Sequence, residues 1–390
     1  MPLTDGPFQT AARLALFYAA FFAVIGILLP FWPVWLEARG LTAEEIGVLL
    51  AISVGAKVIS NPIVAHLTDR RGERRRPMAV LAIVAFASFV LFSFADGFWP
   101  LLMVSLLFYL VWPPIMPLGE SLTMLAARDR GIDYGRVRLW GSLAFIAASV
   151  GGGWALVDQP AGMIYWMALG AVAVAVMACA QVPDLRSDRS SGVRLPVIQV
   201  LRDPRFLLFI VAATLVQGSH AVYYAFGTLH WQAAGYSEDV IGGLWAEGVI
   251  AEVVLLALGA GLIRRVGAER LLMLGGIGAA VRWTATGLTD ALPVLIAVQV
   301  LHAFTFGAAH LAAIHYITRT VAPALSATAQ SLYAALVMGL GMGLTLYAAG
   351  HLYADLAGYA YLTMGILGFL GALAAWRLAR MTAAHAEAGL

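Results

Sequence analysis

Apolar residues run along this chain in blocks of about 20, each closed by a short charged or Gly/Pro-rich turn. That is the spacing of helices crossing a bilayer core about 30 Å thick at 1.5 Å per residue. Twelve spans are predicted: 13–36, 44–67, 77–95, 99–126, 136–157, 163–182, 205–231, 240–263, 268–288, 292–317, 324–352 and 356–378. The pattern also repeats. GLTAEEIGVLLA (40–51) recurs as GYSEDVIGGLWA (235–246), and at the same offset of 195, Arg71-Gly72-Glu73-Arg74-Arg75 falls against Val266-Gly267-Ala268-Glu269-Arg270. Two large hydrophobic copies imply a transporter whose related halves surround a midplane site. The expected architecture is an all-α membrane protein with two pseudo-symmetric six-helix bundles, 1–183 and 205–390, joined by a polar linker, 184–204.

Composition agrees: 61% hydrophobic residues, 12% charged residues and a mean hydropathy of +0.85 exclude an ordinary soluble domain, which carries about a quarter charged residues. The lone Cys179 excludes an internal disulfide and is expected as a buried free thiol. MPLTDGPFQTAARL at the start is polar and has no cleavage site before the first apolar block, so that block is expected to be a retained helix. The net charge of +2 matters less than its distribution. Arg70, Arg71, Arg74, Arg75 and Arg76, Arg128 and Arg130, Arg186, Arg189 and Arg194, and Arg264 and Arg265 cluster in connections that share one side with both ends of the chain. Arg39 alone lies opposite; Lys57 and Arg282 fall inside spans. The positive-inside rule puts both termini in the cytoplasm and explains the arginine-rich loops without nucleic acid.

AHLTDRRGERRR (65–76) resembles the turn between helices 2 and 3 of major facilitator superfamily transporters, G-x-x-x-D-R-x-G-R-R. Ala65 replaces the first Gly, whereas Asp69, Arg70, Gly72 and Arg74 match. Gly72 permits a tight turn, and the carboxylate and guanidinium groups can lock a cytoplasmic closure; an ordinary positive-inside loop is the alternative. GILLPFWPVWLEARGLT (26–42), DYGRVRLWGS (133–142), HAVYYAFGTLHWQAAGYS (220–237), VRW (281–283) and LHAFTFGAAHLAAIHYI (301–317) look like the 3-phenylpropionate transporter group. That group is related to nucleoside–proton symporters and to lactose permease. The resemblance implies proton-coupled uptake of a small aromatic carboxylate at a bacterial inner membrane.

Ionisable side chains inside spans are functional candidates, with interhelical bonding as the competing role. Glu120 follows Pro113, Pro114 and Pro117, which should kink the fourth span. Arg138 opens the fifth, and the antiparallel order of the two spans leads to an expected ion pair with Glu120; lactose permease is similar in using such residues at its sugar site. Lys57, the only lysine, sits in the second span one turn before Asn61; a substrate carboxylate or an acidic partner would each account for it. In the eighth span, Glu247 and Glu252 are about 140° apart. Glu252 shares its side with Gly248 and is the favoured proton carrier. Gln299, His302, Phe306 and His310 follow spacings of three and four and form one stripe of the tenth span, with His315 off it. Histidine suits a proton relay, and Arg282 can hold Glu252 or a histidine, as lactose permease does similarly. Gln217, His220 and Tyr224 share a face of the seventh span, where Gly227 is expected to loosen the helix.

The expected partners are a small-molecule substrate, protons and the lipid bilayer, with a monomeric protein, no cofactor and no metal. Nucleosides or sugars are the alternative substrates. A non-transporting receptor or intramembrane enzyme is the competing class, but no G-x-S-x-G, H-E-x-x-H or supported cysteine–histidine arrangement is present. Adding 195 to Lys57 gives Glu252, so one repeat position carries opposite charges in the two halves.

Overall fold

The computed structural model describes residues 6–185, 197–322 and 325–387, which are helical with no strand among them. The spans are α1 (Pro7–Ala38), α2 (Ala43–Arg71), α3 (Arg75–Val90), α4 (Phe98–Arg130), α5 (Tyr134–Leu156), α6 (Gly162–Gln181), α7 (Pro204–Ala233), α8 (Glu238–Val266), α9 (Ala268–Leu288), α10 (Leu292–Thr320), α11 (326–356) and α12 (Ala360–Glu387). Among the described residues continuous apolar stretches number eleven, because the last runs from Thr328 to Ala384 over 57 residues. As one helix it would be about 86 Å long, nearly three core thicknesses. It divides at Ala357, whose φ is +47°, and a single turn Ala357–Tyr359, giving twelve spans. Residues 186–196 of the expected linker, with Arg186, Arg189 and Arg194, lie outside the described residues.

The repeat survives into geometry. Helices α2 and α8 are both 29 residues long, and both their ends are offset by 195. Gly40 and Gly235 precede them at φ +84° and +89°, and Gly72 and Gly267 follow at +67° and +83°. Only a residue without Cβ takes these left-handed turns without strain.

Irregularities mark where backbone donors are missing or diverted. Helix α4 breaks between Val111 and Ile115, where Pro113 and Pro114 supply no N–H. Helix α7 breaks at Ser219–His220 rather than loosening at Gly227. Ser219 Oγ donates to the Val216 carbonyl at 2.7 Å, and the His220 amide reaches back only three residues, to Gln217. Gly227 lies in unbroken helix, where the Tyr223 ring occupies the space a Cβ would need. Helices α10 and α11 each contain a widened π turn, Ala303–Ala308 and Leu336–Gly341, a feature frequent at functional sites.

The chain forms two compact units: Met1–Thr42, Ile52–Val193 and Tyr236–Ala246 in the first, and Ala43–Ala51, Arg194–Gly235 and Glu247–Leu390 in the second. The first turns of α2 and α8 therefore cluster with helices of the other half of the sequence. Within the second unit a Cβ on Gly47 would lie 2.6 Å from Gly350 Cα; within the first, a Cβ on Gly242 would lie 2.3 Å from the Ser149 carbonyl oxygen. These two glycines are again 195 apart. Gly242→Leu should lower the thermal midpoint in detergent, overpacking costing about 1–3 kcal/mol or more. Gly243→Ala, beside open space, should leave it unchanged or slightly raised.

Candidate functional site

The second unit holds a buried polar cluster on α7, α8, α9 and α10. Small residues bring α9 close to its neighbours: a Cβ on Gly276 would lie 2.6 Å from the Ala372 amide of α12, and one on Gly275 would lie 3.0 Å from the Phe304 carbonyl of α10. Arg282 follows on α9 and is 0% exposed. Its guanidinium faces His302 Nδ1 at 3.0 Å, Thr305 Oγ1 at 3.3 Å and Gln299 Oε1. It also lies 4.7 Å from the Tyr223 ring centroid and 4.2 Å from that of Trp283.

Because arginine only donates, these bonds fix the direction of the network. His302 Nδ1 must accept, so the neutral ring carries its hydrogen on Nε2, which faces Glu252 Oε2 at 3.9 Å. Thr305 accepts from Arg282 and donates to His220 Nε2 at 3.0 Å, and His220 Nδ1 donates to the Gln217 carbonyl at 3.0 Å. Both His220 nitrogens are thus bonded within the protein. Gln299 Nε2 donates to Tyr223 Oη at 3.3 Å. Glycines admit the acidic partner: Gly248 lies against the His302 ring, and a Cβ on Gly307 would lie 2.9 Å from Glu252 Cγ.

The α10 stripe is a ladder of near-parallel rings. His302 and Phe306 are 5.4 Å apart at 5°, and Phe306 and His310 are 6.3 Å apart at 9°. Phe306 therefore separates the two histidines. His302 belongs to the Arg282 cluster, whereas His310 is exposed and lies 3.4 Å from Tyr333 Oη. Tyr224 stacks on His220 at 5.4 Å and 22°. Gln217 is 1% exposed with neither amide atom hydrogen-bonded, and Glu247 is half-buried within electrostatic reach of Arg282.

In the first unit the expected Glu120–Arg138 ion pair does not form: among the described residues no carboxylate lies within the 4.0 Å of an ion pair with Arg138. Its guanidinium spreads over Phe22 at 4.1 Å and Tyr18 at 5.4 Å, with Nη1 in the space left by Gly141 one turn on. Aromatic faces of α1 compete successfully for the cation. Lys57 is half-buried and makes no ion pair among the described residues. Ser53 Oγ, Ser60 Oγ and Asn61 Oδ1, at neighbouring positions of α2, are buried without hydrogen bonds.

The turn after α2 is fastened from inside. Arg74 is 6% exposed; its Nε donates to Ser121 Oγ of α4 at 2.8 Å, and its Nη2 lies 3.3 Å from Asp69 Oδ1. Asp69 and Arg70 are exposed, and Gly72 makes the left-handed turn. In the second unit the position 195 later than Arg74 is Glu269, equally buried and paired with Arg319 at the end of α10. Arg74→Ala should lower the thermal midpoint by orphaning Ser121, by about 1 kcal/mol, whereas Arg70→Ala should not.

Comparison with known proteins agrees with this architecture. The MFS_1 like family model matches residues 11–363. The chain belongs to that family. It is therefore a major facilitator superfamily transporter and not an enzyme. It is 36% identical over 362 residues to the probable 3-phenylpropionic acid transporter of Escherichia coli (strain K12), covering 88% of this chain and 92% of that one. It is 28% identical to maltose permease of Geobacillus stearothermophilus, covering 94% and 93%. Among solved structures, nucleoside transporter NupG superposes with a TM-score of 0.83 at 15% identity over 96% of this chain and 99% of that one, a likeness of fold.

Two participants of this transporter's cluster were not singled out from sequence. Thr305 links Arg282 to His220, and Tyr223 takes the Arg282 cation on its ring while accepting from Gln299. Each stands three residues beyond a selected histidine, His302 and His220, so extending each stripe by one helical step would have reached them. Among the described residues no group of three His, Cys, Asp or Glu side chains is placed to hold a metal. Cys179 is free and buried.

Proposed function

We propose that this chain is a proton-coupled symporter that imports a small aromatic carboxylate of the 3-phenylpropionate class by alternating access. Its place would be a bacterial inner membrane, with both termini cytoplasmic and the protein a monomer. The observation that carries the reading is a carboxylate, Glu252, facing the Nε2 of a tautomer-fixed histidine at 3.9 Å inside an apolar span. The 36% identity to a probable 3-phenylpropionic acid transporter supports that choice of substrate class.

Moving a monoanion inward against an inside-negative potential costs about 2.3 kcal/mol per 100 mV. One co-transported proton cancels that opposition. Glu252 would load the proton, and Lys57 and Arg138 are the cations that the first unit offers to the substrate. The Asp69–Arg74 turn would hold one closure. The second reading is a neutral sugar or nucleoside carried by the same proton, favoured by the likeness to maltose permease.

Uptake of labelled 3-phenylpropionate into proteoliposomes is expected to require an inward pH gradient. Equal equilibration with and without the gradient would refute symport. Preference for maltose or a nucleoside over the aromatic acid in a thermal-shift panel would select the second reading.

A further inference from the structure

Among the described residues Arg282 has no carboxylate paired directly with it. It is 0% exposed, and the groups on its guanidinium are neutral: an imidazole nitrogen, a hydroxyl and an amide oxygen, with two aromatic faces. Among the described residues no carboxylate comes within ion-pair distance, and its buried Nε has no acceptor. A guanidinium cannot shed its charge at any physiological pH, and a buried cation without an anion is strongly unfavourable. The other two cations inside spans lack this compulsion. Lys57 can give up its proton, and Arg138 is half-exposed over two rings.

One described source of negative charge stands on the far side of the His302 imidazole from Arg282. Glu252 faces the Nε2 of the ring whose Nδ1 accepts from Arg282, so its carboxylate compensates Arg282 through His302 without touching it. Titratable groups around the pair among the described residues include Glu247 on α8, His220, Tyr223 and Tyr224 on α7, and Tyr361 on α12. Of these only Glu247 can supply an anion near neutral pH.

We propose that Arg282 is the anion-binding group of the transport site, and that its counter-charge alternates between the Glu252 carboxylate and the carboxylate of the substrate. This rests on the reading of the chain as a carboxylate symporter. A proton taken from outside protonates Glu252 and removes the negative charge that acts on Arg282 through His302; the substrate arrives as its monoanion and takes the place of that charge. After reorientation the substrate leaves, the proton passes from Glu252 to the cytoplasm, and the carboxylate again balances Arg282. Each cycle moves one proton and one monoanion, so transport is electroneutral. The substrate carboxylate is thereby assigned to the second unit rather than to Lys57 or Arg138.

The test is equilibrium binding of 3-phenylpropionate and its uncharged amide to purified full-length protein across pH 5–8. The wild type is expected to prefer the acid, with acid affinity falling as pH rises, about tenfold per unit once Glu252 is ionised in the empty protein. Glu252→Gln should bind the acid with an affinity independent of pH, and Arg282→Gln should lose the preference for acid over amide. The double variant, which removes both charges together, keeps the test readable if Arg282→Gln alone fails to fold. It should bind the amide and not prefer the acid. Retained acid preference in an Arg282 variant, with loss in Lys57→Ala or Arg138→Gln, would overturn the assignment while leaving carboxylate symport standing. Failure of the wild type to bind the acid would instead overturn the substrate class.

Discussion

Glu252→Gln is expected to abolish accumulation of substrate under a pH gradient while retaining exchange of labelled for unlabelled substrate. Electroneutral one-to-one symport sets a tenfold concentration ratio for each pH unit, so a two-unit gradient drives about 100-fold accumulation in the wild type. The variant has no group to load at that position and should stop near a ratio of one. Exchange needs only binding and reorientation, and the amide mimics a protonated carboxyl in size and polarity. Glu247→Gln is the companion experiment: Glu247 lies on α8 about 140° from Glu252 and makes no approach to His302 within ion-pair distance. Its accumulation ratio should stay near that of the wild type. If Glu252→Gln accumulates substrate normally, the proton carrier lies elsewhere.

His302→Phe should be the most destabilising single change in the cluster that preserves side-chain shape. The new ring can still stack on Phe306, as the imidazole does at 5.4 Å. It offers no acceptor to Arg282, which would then bury another charged donor without a partner, at a cost of about 1.5–3 kcal/mol. Acid binding should also lose much of its pH dependence, because Glu252 loses its route to the cation with which the substrate carboxylate must pair. His310→Phe is the contrast. His310 is exposed, and its bond to Tyr333 is a long 3.4 Å, so the thermal midpoint should move little. Unfolding followed by tryptophan fluorescence in detergent compares the two. Equal shifts would show that the Arg282–His302 contact carries no special weight.

The asymmetry in these predictions comes from a symmetric scaffold. Lys57 and Glu252 occupy matching positions of α2 and α8, helices of equal length at a constant offset. Glu252 has an imidazole and a guanidinium to act through, whereas Lys57 has no ion-pair partner among the described residues. Lys57→Ala should therefore keep both the preference for acid over amide and the proton coupling, measured as the acid-to-amide uptake ratio and the pH-driven accumulation ratio. The buried Arg74 and Glu269 repeat the theme at the turns: equivalent positions at the starts of α3 and α9, opposite charges, each fastened to the next helix, α4 or α10.

The twelve spans, the doubling at 195 residues and the charged positions inside spans were all legible along the chain. They depend on local properties: block length against bilayer thickness, the identity of short segments, and the high cost of ionisable groups in hydrocarbon. The stripe Gln299–His302–Phe306–His310 was legible for the same reason, since helical periodicity fixes which side chains share a face. Which partner each of those side chains meets depends on how neighbouring helices are rotated, and that is set by packing at glycines such as Gly248, Gly275 and Gly307. Only the tertiary structure therefore showed that Phe306 divides the two histidines, that Arg138 prefers aromatic faces to Glu120, and that α7 breaks at Ser219–His220. Arg282 was visible as a charge in a span; that it is wholly buried with no carboxylate in ion-pair contact among the described residues is a property of the space around it, which one-dimensional spacing does not contain.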